Sequence, residues 1–520
     1  MSHQEEPLAA RDPIKVYDAR WELHEFEDDA IVRLFEATYA YGRRLGVDTV
    51  TLARDGRLGA AHVLELAADT AVRMGLRVYL CPEPIGTPQG YYLALHVSRE
   101  HPATMGLMIT ASHNPRQYIG VKFTVPTVQA IGEHCGPMGG LSAVREIYHS
   151  SEMFERVPGG SVRIVNVARE YVEFSMTQAG IGPGELSGIS VVLDGCHGSA
   201  GPEVMTALQR AGVRVEAMRL VPDGRFPTGS PNPTSRGKMQ RAVAMAAERN
   251  CLAVIGLDGD GDRVVFGDRR GILSAGFAAV PILRTCVREH AASLATADGS
   301  PLTALYDPKV NPLALREWGK LYIRPVLFRN GHSQIKDYMR RTGAVAAAEE
   351  SGHYYHRFVE ATPEARADCN RVVCCENSIV TVLLFLGALE AQPGLLDELW
   401  SMQSAVRTTG EFNYQFPDDD TRDRALKAVV RHFADQDATL VTATPDGVDL
   451  QGTVVSRGVR IDDAGVHLAS GWYSGSLRVA TNEKGVVRSY FSCADADQIE
   501  RIESDIRRIL EKEYSGVTID

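Results

Sequence analysis

Three aspartates alternate with glycines in the segment Asp258-Gly-Asp260-Gly-Asp262-Arg263. Carboxylates at alternate positions can converge on one cation, and the glycines between them let the backbone fold tightly. Carboxylate oxygens suit a hard cation such as Mg²⁺. A calcium loop of the EF-hand type is excluded, because Arg263 and Arg269 stand where that loop requires Gly and Glu. The remaining alternative is a solvated acidic turn, in which the three carboxylates would repel one another without a cation.

A serine and a histidine stand side by side after an apolar segment. Met105–Ile109 has the composition of a buried strand, and Thr110-Ala-Ser112-His113-Asn-Pro115 has the small, polar and Pro residues of a turn. A solvent-accessible loop held by a rigid strand is a common place for catalytic groups. A Ser-His pair alone is more often part of an ordinary turn, so the hypothesis that Ser112 is a nucleophile depends on the rest of the chain.

A third polar motif, Glu349-Glu-Ser351-Gly-His353, offers a carboxylate and a hydroxyl in a Gly-containing turn. Both groups can form hydrogen bonds with sugar hydroxyls. Taken singly, His332 and His353 are each more typical of structural histidines.

These candidate residues lie in a pattern of alternating strands and helices. Strands are predicted over Ile14–Arg20, Thr49–Ala53, Ser190–Leu193 and Ala253–Leu257, and helices over Asp28–Gly46, Ala60–Met74 and Pro202–Ala211. Such alternation implies α/β domains, in which the loops at the carboxyl ends of the strands carry the site. Arg20, Arg57 and Ser112 all fall at such ends.

The last part of the chain has a different pattern. Helices are predicted over Arg422–Ala434 and Gln498–Tyr514 with short strands between them, which is typical of a small α+β domain. The segment Arg478–Gly485 contains groups that can hold a phosphate, although a charged hairpin is an almost equal alternative. With Pro158-Gly-Gly-Ser161 as one boundary, we predict four domains: residues 1–160, 161–270, 271–398 and 399–520.

The composition of the chain indicates which binding partners and which cellular compartment to expect. The net charge of −11 argues against nucleic acid or an anionic membrane as the main partner. Nine scattered cysteines without paired zinc spacing indicate reduced thiols, and therefore a cytoplasmic protein. We expect no signal peptide at the N-terminus, and the longest apolar run, Ile379–Leu389, is too short to span a bilayer and predicts a buried helix.

Taken together and in this order, three motifs resemble those of the α-D-phosphohexomutase family, in particular its bacterial phosphomannomutase/phosphoglucomutase branch. They are Thr110–Pro115 with Gly120-x-Lys122, Asp258–Arg263, and Glu349–His353. The resemblance extends from about Val16 to the C-terminus. It implies an α/β fold, with three related mixed α/β domains around a central cleft and a smaller α+β C-terminal domain. It also implies one reaction, the exchange of a phosphoryl group between O1 and O6 of a hexose.

The resemblance assigns roles to individual residues and implies a hexose 1,6-bisphosphate as activator. Ser112 would be a phosphoserine, and one of its phosphate oxygens would hold Mg²⁺ together with Asp258, Asp260 and Asp262. The catalytic groups would be Ser112, Arg20, His113, Lys122 and His332. The groups that bind the hexose phosphate would be Arg263, Lys309, Glu349, Ser351, His353, Arg478, Thr481, Asn482 and Lys484.

The chain departs from the family pattern at three places. Ile119 replaces the usual Asn before Gly120, Trp21 replaces the usual Gly after Arg20, and Arg478–Gly485 has neither the usual serine nor the usual proline. Two further hypotheses therefore stay open, a non-catalytic sugar-phosphate binding or regulatory protein and a sugar-phosphate phosphatase. The choice among glucose, mannose and glucosamine phosphates also stays open, although the Glu349–His353 motif favours glucose or mannose.

Overall fold

The computed structural model describes residues 12–294, 300–359, 372–480, 485–514 and 517–519. The chain divides into two compact units. The first comprises Met1–Ile272, Gly331–Thr342 and His353–Leu383, and the second comprises Leu273–Asn330, Gly343–Gly352 and Leu384–Asp520. The segment predicted as the third domain, 271–398, thus contributes to both units.

The first part of the chain builds a seven-stranded sheet in the first unit. Its elements are β1 (Ala19–Glu22), α1 (Asp28–Arg44), β2 (Thr49–Arg54), α2 (Ala60–Arg73), β3 (Arg77–Pro84), α3 (Thr87–Ser98), β4 (Thr104–Ile109), β5 (Tyr118–Val125), β6 (Gln129–Ala130), α4 (Gly140–His149) and β7 (Ser161–Ile164). The strand order is β1-β5-β4-β2-β3-β7, with β6 beside β5. Strand β4 is buried along its whole length, as its apolar sequence predicts. Strand β7 extends this sheet past the predicted domain limit at residue 160.

A second sheet in the same unit has the order β12-β11-β10-β8-β9. Its elements are α5 (Ala168–Ala179), β8 (Ser190–Asp194), α6 (Gly201–Arg210), β9 (Arg214–Met218), α7 (Gln240–Glu248), β10 (Ala253–Leu257), β11 (Val264–Asp268) and β12 (Gly271–Ile272). Strand β10 is parallel to β8 and antiparallel to β11. The three aspartates lie in the connection between the buried strands β10 and β11.

The next elements are α8 (Ala275–Leu294), β13 (Leu302–Tyr306), α9 (Pro312–Gly319), β14 (Ile323–Leu327), α10 (His332–Thr342), β15 (Ala346–Ala348), β16 (Tyr354–Val359), β17 (Val372–Glu376) and α11 (Ser378–Ala391). In the second unit, β13 pairs in parallel with β14 and with β15. In the first unit, β16 pairs antiparallel with β17. Parallel strands joined through helices are typical of α/β structure.

The C-terminal part belongs to the second unit and has a different architecture. Its elements are α12 (Leu395–Ser404), β18 (Arg407–Gln415), α13 (Asp419–Ala434), β19 (Thr439–Ala443), β20 (Asp449–Asp462), β21 (Gly465–Val479), β22 (Val486–Cys493), α14 (Ala496–Glu513) and β23 (Thr518–Ile519). The sheet order is β19-β20-β21-β22-β18-β23. Helix α14 buries Ile499, Ile502, Ile506 and Leu510, the face that its periodicity predicts. The predicted fold class, three α/β parts followed by an α+β part, is confirmed.

The longest apolar run of the sequence lies inside α11 and is packed in the protein interior, with Leu383 and Phe385 fully buried. Among the described residues, no single helix is both long and apolar enough to cross a membrane. Helices α11 and α12 meet that criterion only as a pair, by length and composition, and they are bent by 105° at the break between them.

Candidate active site

Ser112 lies in the loop that follows β4, in a backbone conformation that is unusual for serine. Its φ is 51°, and only 4% of the residue is exposed. The Ser112 N–H donates to Thr110 Oγ1 at 3.0 Å, and that hydroxyl donates to Asp55 Oδ2 at 2.8 Å. A left-handed conformation of a non-glycine residue has an energetic cost and persists only where its surroundings impose it. The loop is therefore held in one geometry.

Arg57 also holds this loop, through its backbone carbonyl groups. Its guanidinium donates to the backbone carbonyl oxygens of Ser112, of Asn114 at 2.8 Å and of Pro115 at 3.0 Å. Arg57 is itself fixed by an ion pair with Asp55, with 3.1 Å between Nε and Oδ2. One buried cation thus donates hydrogen bonds to three carbonyl oxygens of the Ser112 turn.

The three aspartates converge in the first unit, as the sequence predicts. Each offers a carboxylate oxygen, and these oxygens all lie within 4.8 Å of one another. All three residues are buried. Ser112 Oγ donates to Asp258 Oδ2 at 3.2 Å, so the candidate nucleophile adjoins the acidic cluster.

Lys122 and Thr87 contact the cluster from the first sheet and the helix beside it. Lys122 Nζ lies 2.8 Å from Asp260 Oδ2 and also donates to Asp262 Oδ2. Thr87 donates its hydroxyl to Asp260 Oδ2 at 2.5 Å and its N–H to the Asp260 carbonyl at 2.7 Å. Burial by itself would lower the pKa of Lys122, but Asp260 and Asp262 raise it above its ordinary value. The lysine is therefore a cation that partly neutralises the cluster.

His113 lies directly beside the candidate nucleophile. Its Nδ1 is 3.2 Å from Ser112 Oγ. Burial, followed by the neighbouring cations Arg263 and Arg20, lowers the pKa of His113 well below its ordinary value. The imidazole is therefore neutral at pH 7 and can accept a proton. The carbonyl oxygen of His113 accepts a hydrogen bond of 2.6 Å from the Ser230 hydroxyl.

Arg263 and His353 form a second edge of the same site. Arg263 donates its N–H to Asp258 Oδ1 at 3.1 Å and its Nε–H to His353 Nε2 at 3.1 Å. His353 Nε2 is therefore the accepting nitrogen, and Nδ1 carries the proton. That Nδ1 faces two carboxylates, 3.8 Å from Asp262 Oδ1 and 3.6 Å from Glu376 Oε1.

Arg20 and His332 complete the predicted catalytic set in this unit. Arg20 donates to Asn114 Oδ1 at 3.0 Å and to Asp18 Oδ2 at 2.5 Å, so it is tied to the Ser112 turn. His332 begins α10, and neither of its ring nitrogens has a hydrogen-bond partner among the described residues. Burial, together with the cations Lys336 and Lys122, lowers the pKa of His332 well below its ordinary value.

The predicted sugar-binding residues Glu349 and Ser351 lie in the second unit. Glu349 is buried, and its Oε1 accepts from Asn330 Nδ2 at 3.1 Å. The same amide donates to Asp307 Oδ2 at 2.6 Å. Ser351 is partly exposed and therefore reachable by a solute.

The predicted substrate-binding cations Lys309 and Arg478 share one carboxylate in the second unit. Lys309 Nζ lies 2.9 Å from Glu411 Oε2, and Arg478 Nη2 lies 4.0 Å from the same oxygen. Thr481, Asn482 and Lys484 lie outside the described residues.

Three segments of the chain match the α/β/α domains of phosphoglucomutase/phosphomannomutase: residues 12–134 match domain I, 169–271 domain II and 291–404 domain III. The chain belongs to the phosphoglucomutase/phosphomannomutase family. This confirms the family expected from the three motifs, and with it a phosphotransferase of the mutase class.

Known proteins of this family cover nearly the whole chain. The chain is 26% identical over 454 residues to a phosphomannomutase of Escherichia coli, covering 84% of this chain and 89% of that protein. It is 26% identical over 500 residues to a phosphomannomutase/phosphoglucomutase of Pseudomonas syringae pv. tomato, covering 92% and 91%. A crystal structure of a phosphoglucomutase/phosphomannomutase family protein from Burkholderia thailandensis superposes with a TM-score of 0.75 at 22% identity and covers 99% of each chain.

Several residues that shape this mutase site were missed by sequence reasoning. Arg57 was placed at the carboxyl end of a strand, but its hydrogen bonds to the backbone of the Ser112 turn were not predicted. Thr87 contacts Asp260, and its position carried no signal. Asn114, which contacts Arg20, was quoted only as part of the Thr110–Pro115 motif and was given no role. Glu376 lies in a strand of apolar neighbours, where a lone carboxylate was a signal for a buried ion pair.

Proposed function

We propose that this family member interconverts hexose 1-phosphate and hexose 6-phosphate, with glucose or mannose as the sugar, through a phosphoserine at Ser112 and a hexose 1,6-bisphosphate. One observation carries the proposal. Ser112 Oγ, on a turn with a φ of 51°, lies 3.2 Å from a carboxylate of a buried cluster of three aspartates. A nucleophile fixed beside a cation site is what phosphoryl transfer requires.

The acidic cluster fits a hard divalent cation. Asp260 Oδ1 and Asp262 Oδ1 are buried and have no hydrogen-bond partner among the described residues, so each has an oxygen left for a ligand. Asp258, Asp260 and Asp262 would hold Mg²⁺ together with an oxygen of the Ser112 phosphate. When bound, the cation neutralises negative charge on the phosphoryl group.

In the first half-reaction the phosphoserine gives its phosphoryl group to the free hydroxyl of the hexose phosphate. The bond between phosphorus and Ser112 Oγ breaks and a bond between phosphorus and the sugar oxygen forms. The sugar hydroxyl loses its proton, and Ser112 Oγ gains one to become a hydroxyl. Arg263 and Lys122 would offset charge on the moving group, while Arg20 holds the loop through Asn114. The product is the hexose 1,6-bisphosphate, which also serves as activator because it phosphorylates a free Ser112.

In the second half-reaction Ser112 Oγ attacks the other phosphate of the reoriented bisphosphate. The bond from phosphorus to that sugar oxygen breaks and a bond from phosphorus to Ser112 Oγ forms. Ser112 loses its proton, and the sugar oxygen gains one to become a hydroxyl. His113 is neutral and its Nδ1 lies 3.2 Å from Ser112 Oγ, so it can accept this proton. His332, whose two ring nitrogens lack partners among the described residues, would serve the sugar hydroxyl in the same way.

The site needs groups that bind the sugar equally well in both orientations of the bisphosphate. Glu349, Ser351 and His353 would accept and donate hydrogen bonds with sugar hydroxyls. The phosphate that does not react would be held by the cations and donors of the second unit: Lys309, Arg478, Thr481, Asn482 and Lys484. All eight described cysteines are free thiols, which is typical of a reducing compartment, so we expect the enzyme in the cytoplasm.

The test is turnover of glucose 1-phosphate and mannose 1-phosphate with Mg²⁺ and the matching 1,6-bisphosphate. We expect Ser112→Ala to abolish the formation of hexose 6-phosphate, while Ser187→Ala, at an exposed serine, leaves it unchanged. Full activity of Ser112→Ala would refute the phosphoserine. The same assay separates the alternatives. A phosphatase releases inorganic phosphate in proportion to substrate loss, whereas a non-catalytic binding protein neither consumes substrate nor releases inorganic phosphate.

A further inference from the structure

Arg263 is held through the Nε atom of its guanidinium group. Its Nε–H donates to His353 Nε2 at 3.1 Å, and an isolated antiparallel bridge joins the backbones of the same two residues. Among the described residues, neither terminal nitrogen of Arg263 has a hydrogen-bond partner. The side chain is 13% exposed, so a solute can reach it. The planar fork of terminal nitrogens is therefore left for a ligand.

The position of the proton on the His353 ring decides whether this hydrogen bond can form. An arginine only donates, so Nε2 must accept and the proton of the neutral ring must lie on Nδ1. A proton on Nε2 would instead set two N–H groups against each other. The Tyr355 ring stacks on the His353 ring, with centroids 5.7 Å apart and 18° between the planes. This stacking fixes the plane of the ring but does not choose between its two nitrogens.

Two carboxylates face His353 Nδ1, and one of them lies outside the proposed metal site. Nδ1 is 3.8 Å from Asp262 Oδ1 and 3.6 Å from Glu376 Oε1. Asp262 Oδ1 is an oxygen that the proposed cation would take, whereas Glu376 is not one of the proposed ligands. A separation of 3.6 Å is too long for a hydrogen bond, so the contact with Glu376 is electrostatic. A negative charge at this distance favours an N–H on Nδ1 over the lone pair of the other tautomer.

The strand pairing and a lysine fix the Glu376 carboxylate. Glu376 ends β17 directly opposite Tyr355 of β16, and His353 lies two residues before Tyr355. Positions two residues apart share a face, so Glu376 and His353 are diagonal neighbours. Lys336 Nζ lies 2.9 Å from Glu376 Oε2, while Oε1 is the oxygen nearest to His353. The side chains of Lys336 and Glu376 are almost completely buried, so the carboxylate cannot turn toward solvent.

We propose that Glu376 is a positioning residue that acts through His353 on Arg263. Its charge keeps the ring proton on Nδ1, so Nε2 stays an acceptor and holds Arg263 by Nε. The terminal nitrogens of Arg263 are then directed at the phosphoryl group that moves between Ser112 and the sugar, an identity that rests on the proposed function. Donors that are fixed before the reaction stabilise charge on the moving group without reorganisation. The loss of Glu376 should therefore lower kcat more than it raises KM.

The alternative is that Glu376 serves only as the counter-ion of Lys336. Steady-state kinetics on glucose 1-phosphate, with Mg²⁺ and glucose 1,6-bisphosphate, separates the two roles. The double variant Lys336→Met/Glu376→Leu leaves no uncompensated charge, so it should stay folded. If Glu376 positions Arg263, we expect kcat to fall about 10- to 100-fold, with KM changed less than about twofold. A normal kcat in this variant would overturn the inference.

A further substitution tests whether the effect passes through Arg263. In the Arg263→Gln background, Lys336→Met/Glu376→Leu should cause no further loss of kcat, because the group that Glu376 positions is already absent. Losses that multiply would show that Glu376 acts elsewhere, and the inference would fail. Glu36→Gln, at an ion-paired carboxylate of α1, is the control and should leave kcat unchanged in both backgrounds.

A measurement without turnover separates this inference from the proposed function. The nitrogen chemical shifts of the His353 ring in an NMR spectrum, assigned by comparison with His353→Gln, show which nitrogen carries the proton. We expect the proton on Nδ1 in the wild type with Mg²⁺, and a share of the other tautomer in Lys336→Met/Glu376→Leu. A proton on Nε2 in the wild type, or the same tautomer in both proteins, would refute the role of Glu376. If the wild type turned over no hexose phosphate but showed the expected shifts, the mutase proposal would fail and the link from Glu376 to Arg263 would stand.

Discussion

Lys122 Nζ lies 2.8 Å from Asp260 Oδ2 and also donates a hydrogen bond to Asp262, so a lysine ammonium neutralises two of the three candidate metal ligands. The lysine and both aspartates are almost completely buried. Buried carboxylates are stable only when a cation compensates them. Part of the positive charge that compensates the aspartate cluster is therefore supplied by Lys122 rather than by a metal ion.

Replacing this lysine should make stability depend on a metal ion. We expect Lys122→Met to lower the free energy of unfolding by about 3–5 kcal/mol in EDTA, because it leaves two buried carboxylates without a partner. Addition of Mg²⁺ should restore part of the loss, since a ligand that binds only the folded state stabilises it. Urea unfolding with and without Mg²⁺ measures both effects. Lys427→Met, at an exposed lysine of α13, is the matched control, and equal stability of the two variants in EDTA would contradict the prediction.

The glycine between the first two aspartates controls the position of the nucleophile. A Cβ on Gly259 would lie 2.6 Å from the Ser112 carbonyl oxygen, closer than real contacts allow. We expect Gly259→Ala to shift the Ser112 turn and to lower kcat about 100-fold with little change in KM, because catalysis is sensitive to displacements of this size. Steady-state kinetics on glucose 1-phosphate measures the change.

Gly319→Ala is the control for this substitution, since the nearest atoms to its added Cβ lie at 3.6 Å. A normal kcat for Gly259→Ala would mean that the Ser112 turn has more freedom than its hydrogen bonds imply.

The sequence predicted the fold class, the strand ends and the three motifs, because each depends on local patterns of apolar, small and charged residues. The predicted strand Ile14–Arg20 is wrong over most of its length, because β1 begins only at Ala19 and Arg20 lies inside it rather than at a strand end. Asp12 accepts the Ile14 N–H and the Lys15 N–H donates to the Asp18 carbonyl, which makes a turn before β1. These hydrogen bonds are local, but the composition of the segment does not distinguish the turn from a strand.

Two of the departures from the family pattern become one feature in the structure. Trp21 of β1 is the direct partner of Ile119 of β5, and both are buried. Arg20 pairs with Gly120 in the same register. The two substitutions therefore form one apolar cross-strand pair beside the site, which preserves the strand pairing. Their separation of almost a hundred residues hid this relationship in the sequence.

The buried ion pair between Lys336 and Glu376 lies beside His353. Lys336 Nζ lies 2.9 Å from Glu376 Oε2 and 2.8 Å from the Tyr91 hydroxyl. Burial would raise the pKa of Glu376, but Lys336, together with His353, lowers it to about 2. We expect Lys336→Met to lower the free energy of unfolding by about 3–5 kcal/mol at pH 7, because it leaves a buried charge unpaired.

The double variant Lys336→Met/Glu376→Leu should recover most of that loss, since removal of both charges leaves none uncompensated. Urea unfolding of the two single variants and the double variant completes the cycle. Additive losses would show that the two residues contribute independently.

Glu203 gives the protein a pH-dependent loss of stability away from the site. Its Oε2 is buried without a hydrogen-bond partner among the described residues, and burial raises the pKa of Glu203 to about 7. An exposed glutamate titrates near a pKa of about 4.3, so between about pH 4 and 7 the folded state binds more protons than the unfolded state. The free energy of unfolding therefore falls as the pH rises through this range, by at most about 4 kcal/mol.

Glu203→Gln removes this titration and should be more stable than the wild type at pH 8, by up to about 4 kcal/mol, and nearly equal to it at pH 4. Urea unfolding at the two pH values measures the difference, and Glu248→Gln, at an exposed glutamate of α7, should show no such dependence. An equal effect of Glu203→Gln at both pH values would show that Glu203 carries the same charge throughout this range, and its burial would then have no effect on its ionisation.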